Sequence, residues 1–183
     1  MLLGLCGSLR GGSFNRKLMY AAAAEFGAVR FEEANLRLPL YDGDLESGSG
    51  IPAEVQVLAD QIAAAEAVIV VTPEYNKMLS GVLKNALDWV SRTKGSPWLD
   101  KPVAILSATG GRSGGERAQN SLRLALSPFG PLLLTGREVA VASASEQFDA
   151  DGRLLSDRYR AAVANQMTAL RSLARSRAEL VQA

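Results

Sequence analysis

Short, continuous apolar runs alternate along this chain with segments whose apolar residues recur three and four positions apart, and that alternation restricts the fold more than any other feature. The runs fall at residues 2–6, 29–34, 67–72, 103–107 and 138–142. Unbroken hydrophobicity over so few residues predicts strands covered on both faces. Between them, Leu18, Ala22 and Phe26 share one helical face. The same holds for Val55, Leu58 and Ile62, for Val82, Ala86 and Val90, for Ala118, Leu122 and Ala125, and for Tyr159, Val163, Met167 and Leu170. Charged residues such as Lys17, Glu54, Lys84 and Arg171 fall on the opposite faces. Repeated βα units of this kind predict a parallel sheet with helices on both sides, and 183 residues suit a single domain, 1–183. Two segments break the pattern. The Gly/Ser-rich stretch 43–50 reads as a surface loop, and 171–183 reads as a solvated helix end that frays.

Composition removes whole classes of chemistry. The chain has no histidine, which excludes a Ser-His-Asp triad, a Cys-His pair and an imidazole base near neutral pH. Cys6 is the only cysteine, so an internal disulfide and a thiolate metal cluster are excluded as well. A lone thiol, read here as a small core residue, suits the reducing cytoplasm. With 20 basic against 19 acidic side chains and a net charge of +1, no broad cationic field exists to grip nucleic acid. No apolar run approaches a membrane span, and the opening residues 1–6 read as a buried strand rather than a leader. Asp42, Asp44 and Glu46 alternate like the start of a calcium loop, but Ser47 and Ala53 stand where glycine and glutamate are needed, so no metal site is expected.

In an open parallel sheet, ligands sit beyond the carboxyl ends of the strands where the strand order reverses. Function therefore concentrates in three loops. After the first strand, Gly7 to Asn15 precedes a helix beginning near Arg16, and its small residues, polar side chains and helix N-terminus form an anion cradle. Arg10 adds a planar cation suited to phosphate. Ser13 stands where a nucleotide-binding lysine would be, which disfavours an ATPase. The structural alternative is that Ser13 or Asn15 merely caps the helix. After the third strand, Pro73 stiffens the exit while Tyr75 and Asn76 offer an aromatic edge and an amide to a flat heteroaromatic ring, or else form a turn packed on the domain itself. Glu74 has the chemistry of a general base but lacks a partner acid, so it reads at least as well as a structural charge; Ser80 reads as a helix cap. After the fourth strand, 107–116 carries four glycines, which either let backbone approach a planar ligand or make a mobile loop.

Gly7-Ser8-Leu9-Arg10-x-x-Ser13-x-Asn15, then Thr72-Pro73-Glu74-Tyr75-Asn76 with Leu83-Lys84-Asn85-Ala86-Leu87-Asp88-Trp89 downstream, then Lys101-Pro102 before the third loop, together resemble the NADPH-dependent FMN reductase family. The likeness runs from Leu2 to about Leu173. It implies a flavodoxin-like three-layer sandwich whose five-stranded parallel sheet has order 2-1-3-4-5. It implies that Ser8, Arg10, Ser13 and Asn15 hold the FMN phosphate, with Phe14 also among the cofactor-binding residues, that Pro73, Glu74, Tyr75 and Asn76 line the isoalloxazine, and that Ser107, Ala108, Thr109 and Gly110 close its other side through backbone contacts. It also implies a homodimer or homotetramer with the helix around 83–89 near the interface. Relatives commonly carry proline where Ser80 stands, and 77–79 is a variable stretch facing the substrate.

The absence of histidine fits this resemblance, because a flavin carries redox chemistry itself and no catalytic side chain is required. The expected activity is oxidation of NADPH or NADH through FMN, in a ping-pong cycle, with a quinone, chromate or azo compound as small-molecule acceptor. Arg112 is a candidate contact for the nucleotide phosphate. The alternative is an FMN-binding electron carrier serving a protein partner, a class that is typically strongly acidic.

Overall fold

The computed structural model describes residues 1–27, 29–136 and 138–182. Its strands are β1 (Leu2–Cys6), β2 (Phe31–Glu33), β3 (Ala67–Thr72), β4 (Pro102–Ala108), β5 (Leu132–Leu133) and β6 (Val139–Val141). All pair in parallel, in the order β2-β1-β3-β4-β5, and β6 also lies against β4. The expected order is therefore observed, but the fifth position is divided. Leu132 and Leu133 pair with Pro102 and Val103, and Val139 to Val141 pair with Leu106 to Ala108. Two such short pieces on one edge carry too few residues for a strand period to register, which is why 132–133 has no counterpart among the expected strands.

Side chains alternate across the sheet, and the helices divide accordingly. Leu2, Cys6, Ile69, Val71, Ala104 and Leu106 pack against α1 (Phe14–Phe26) and α6 (Asp157–Gln182). Leu3, Leu5, Val68, Val70, Val103 and Ile105 pack against α3 (Ala53–Ala64), α4 (Gly81–Val90) and α5 (Glu116–Leu126). Fully burying one such aliphatic side chain is worth about 1.5–3 kcal/mol. Trp89 and Trp98, which the sequence leaves open between core and contact, are both buried, as is Cys6.

Several elements depart from the sequence pattern for physical reasons. α1 begins at Phe14 rather than near Arg16, because the Ser13 hydroxyl accepts the Arg16 N–H at 3.3 Å and starts the helix earlier. β2 is shorter than 29–34, although Ala34 N still donates to the Gly4 carbonyl. The stretch expected as a loop at 43–50 contains α2 (Gly43–Ser49). Asp42 caps it by accepting the Asp44 N–H at 2.9 Å, Glu46 bonds Arg92 on α4's exit at 3.0 Å, and Tyr41 donates to Glu46. Tertiary anchoring thus overrides the weak helix propensity of glycine and serine. The terminal segment stays helical to Gln182: Ala174 is buried, and Arg171 donates to the Phe26 carbonyl at 2.7 Å, satisfying the end of α1. Ala183 lies outside the described residues.

Register brings the three loops level. Cys6 pairs with Val71 and Thr72 with Ser107, so the loops after β1, β3 and β4 leave the same edge of the sheet side by side.

Candidate functional site

The loop after β1 turns sharply at Gly7, where a Cβ would lie 2.6 Å from Leu83 Cδ1 and 2.8 Å from Ser80 Oγ. Only a missing side chain lets α4 approach this closely. From Ser8 through Asn15, no backbone N–H has an acceptor among the described residues. Ser8, Ser13 and Asn15 are buried beneath this run, while Arg10 is exposed and its side chain has no partner among the described residues. Such a string of free donors, ending on the positive end of α1, is complementary to a phosphate.

Ser13 and Asn15 both do structural work. Ser13 is the α1 cap, and the Asn15 amide pairs doubly with Ala108, donating to its carbonyl at 2.9 Å and accepting its N–H at 2.9 Å. Asn15 thereby ties the start of α1 to the end of β4, joining the first and third loops. What Phe14 and Asn15 leave free for a ligand is their backbone N–H.

In the second loop, Thr72 donates to the Pro73 carbonyl at 2.8 Å, and Pro73 is buried. Tyr75 and Met78 exchange both backbone hydrogen bonds across Asn76 and Lys77, whose φ values of 50° and 69° define a tight turn with two left-handed residues. The turn stands clear of the domain, with Tyr75 half exposed and Met78 beside it. It is not packed back onto the core. Ser80 caps α4, as expected.

Glu74 has a role that spacing did not disclose. Its carboxylate accepts the Ala118 N–H at 3.3 Å, in the first turn of α5, whose own capping position is the side-chain-less Gly115. Leu79 N donates to Ser121 Oγ at 2.8 Å and fixes the same two elements together. A helix preceded by Gly114-Gly115 needs a cap from elsewhere, and that was the available signal. Glu74→Ala should cost about 1 kcal/mol in urea unfolding. Glu74→Gln, which keeps an acceptor oxygen, should cost clearly less, and equal losses would refute a capping role.

The third loop is shaped by Ser107, whose buried hydroxyl donates to the Gly114 carbonyl at 2.6 Å and accepts from Gln119 at 2.7 Å. Thr109 N donates to Val141 and Ser143 N to Gly111, so the loop is fastened to the chain after β6 rather than free. Gly110 and Gly111 are exposed, with no acceptor for their N–H groups among the described residues. A Cβ on Gly110 would meet nothing within 4 Å. The rim there is open backbone. Arg112 is exposed at the same rim.

A separate cleft of about 620 Å³ opens from Gly11 and Ser13 along α1 toward Leu154, with no lining residue from the second or third loop. Beneath the first loop, burial pushes the Cys6 thiol above its ordinary pKa, keeping it protonated at neutral pH, and the hydrogen bond to Glu33 raises that of Arg16 further.

A family model described as NADPH-dependent FMN reductase matches residues 1–146. The chain is 42% identical over 171 residues to an NAD(P)H-dependent FMN reductase of Pseudomonas aeruginosa, covering 92% of each. It is 46% identical over 123 residues to a quinone reductase of Escherichia coli, covering 65% of each. Among solved structures it resembles a flavoenzyme NAD(P)H:(acceptor) oxidoreductase from Paracoccus denitrificans, with a TM-score of 0.86 at 29% identity over 96% of this chain and 97% of that one.

Proposed function

Because the chain belongs to the NADPH-dependent FMN reductase family, an oxidoreductase family, we propose that it holds FMN across the three loops and passes electrons from NAD(P)H to a quinone. The observation that carries this is the run of unpartnered N–H groups from Ser8 through Asn15 over the N-terminus of α1. These donors, with Ser8, Ser13 and the Arg10 guanidinium, take the phosphate. Pro73, Glu74, Tyr75 and Asn76 lie along one side of the ring, and Ser107, Ala108, Thr109 and Gly110 close the other. The free N–H groups of Gly110 and Gly111 suit the ring's carbonyl edge, where negative charge develops on reduction.

Bound FMN supplies the two-electron relay, so donor and acceptor use one place in turn, in a ping-pong cycle. In the net reaction NAD(P)H loses a hydride, and the quinone gains two electrons and two protons, one of them from solvent, to leave as hydroquinone. Chromate and azo compounds are proposed as further acceptors, and Arg112 as a contact for the nucleotide phosphate. Tyr75 and Met78 are half exposed and Leu40 is 81% exposed, apolar surface that a single domain leaves uncovered. Leu40 sits in a segment held to α4 by Asn85 and Trp89, both donating to the Pro39 carbonyl. We assign the contact of a homodimer or homotetramer to this side. A protonated, buried Cys6 suits the cytoplasm.

Purified protein mixed with FMN and desalted should remain yellow and oxidise NADPH when benzoquinone is present, with parallel double-reciprocal plots. A colourless product overturns the reading, and a flavin-bound protein inert to both nicotinamides points instead to an electron carrier. Arg10→Ala should lose about tenfold in FMN affinity with an unchanged unfolding midpoint; full retention refutes its phosphate role.

A further inference from the structure

Successive carbonyls of the loop after β1 are taken by donors from outside it. The Cys6 thiol donates to the Ser8 carbonyl at 3.5 Å, Arg37 Nη2 to the Leu9 carbonyl at 3.1 Å, and Arg16 Nη1 to the Arg10 carbonyl at 2.8 Å. A trans peptide is planar, so the N–H of each following residue points opposite to the carbonyl that shares its plane. Holding these oxygens on the Cys6, Arg37 and Arg16 side therefore aims the N–H groups of Leu9, Arg10 and Gly11 the other way. Those are among the N–H groups that have no acceptor among the described residues. A guanidinium on a carbonyl oxygen also polarises the peptide and strengthens the opposite N–H as a donor.

Arg16 is anchored through its guanidinium and Arg37 through its backbone. Arg16 Nε donates to Glu33 Oε1 at 2.7 Å, and the other Glu33 oxygen accepts the Tyr20 hydroxyl at 2.9 Å, so the end of β2 holds the guanidinium in place. Arg37 leaves a turn in which Asn35 Oδ1 accepts its backbone N–H at 3.0 Å. We propose that Arg16 and Arg37 are positioning residues of the phosphate site: they bond the outer oxygens of the loop so that its N–H groups converge on the anion without touching it themselves. This rests on the FMN reading of the same loop. It gives the chain three arginines with two different tasks there, since only Arg10 keeps its guanidinium for the phosphate.

The test compares FMN with riboflavin, which lacks the phosphate, by titrating apoprotein fluorimetrically at about 0.5 M salt, where the Debye length is under about 5 Å and distant charge is screened. Wild type should prefer FMN. Arg37→Ala, an exposed change, should lose about tenfold in FMN affinity while riboflavin affinity stays put, and Arg16→Ala should do the same. Equal losses for both flavins would mean a merely structural role and overturn the proposal, as would full FMN preference in both variants. If wild type itself shows no preference for FMN, the phosphate reading fails and the proposal with it. The wild-type and variant arms thus separate the two failures.

Discussion

Gly114→Ala is expected to lower stability by about 3 kcal/mol, measured as a drop in the urea midpoint of the apoprotein at unchanged slope. Gly114 has φ +65°, a left-handed conformation that costs an L-residue about 1–2 kcal/mol. The added Cβ would also overlap the backbone carbonyl of Ala140, closer than real Cβ contacts come. A side-chain neighbour could swing aside; this one sits in β6, paired through Ala140 with Ser107. Relieving the overlap means moving the strand, and overpacking of that kind adds about 1–3 kcal/mol. The same movement would disturb the Ser107 to Gly114 hydrogen bond. Gly110→Ala is the control: its Cβ meets open space, so its stability should stay within about 0.5 kcal/mol of wild type. Equal behaviour of the two variants would show that the loop adapts and is not clamped.

Gly110 and Gly114 look alike in the sequence, four residues apart in one glycine-rich stretch, yet one borders open space and the other a neighbouring backbone. That contrast marks the limit of what a chain discloses by itself. Signals generated within one element were legible: the continuous apolar runs of β1 and β3, the Ser80 cap, and the loop order set by parallel topology. Relations between elements distant in sequence were not. Glu74 capping α5, Asn15 pairing with Ala108, and Arg37 reaching the Leu9 carbonyl each join residues that no local period connects. α2 is hidden from a local reading for the same reason, since its anchor, Arg92, lies beyond α4. The positions of the three loops could thus be read in advance, but not how each polar side chain within them is used.

Lys101 is another such case, and it predicts an alkaline rise in stability. Its side chain is buried at the foot of β4, where Nζ donates to the carbonyls of Ala63 and Ala65 at the end of α3. No carboxylate pairs with it among the described residues. Burial, assisted by the nearby Arg177 charge, lowers its pKa from 10.5 to about 8. Between these values the unfolded chain still holds a proton that the folded protein has released, so stability increases with pH across that window. The full gap is worth about 3 kcal/mol, of which about 1 kcal/mol should appear between pH 7.5 and 9. Other groups work against it toward the upper part of the same window. The Cys6 thiol is raised above its ordinary 9.0 by burial, and Tyr20 above 10.0 by its bond to Glu33, so each favours the unfolded chain once its unfolded form ionises. Urea titrations of wild type and Lys101→Met over this range isolate the lysine, because Cys6 and Tyr20 are common to both. The wild-type curve should climb relative to the variant. If the two run parallel, the α3 carbonyls hold the ammonium protonated strongly enough to outweigh its burial, and Lys101 is a permanent cationic clamp on that helix end.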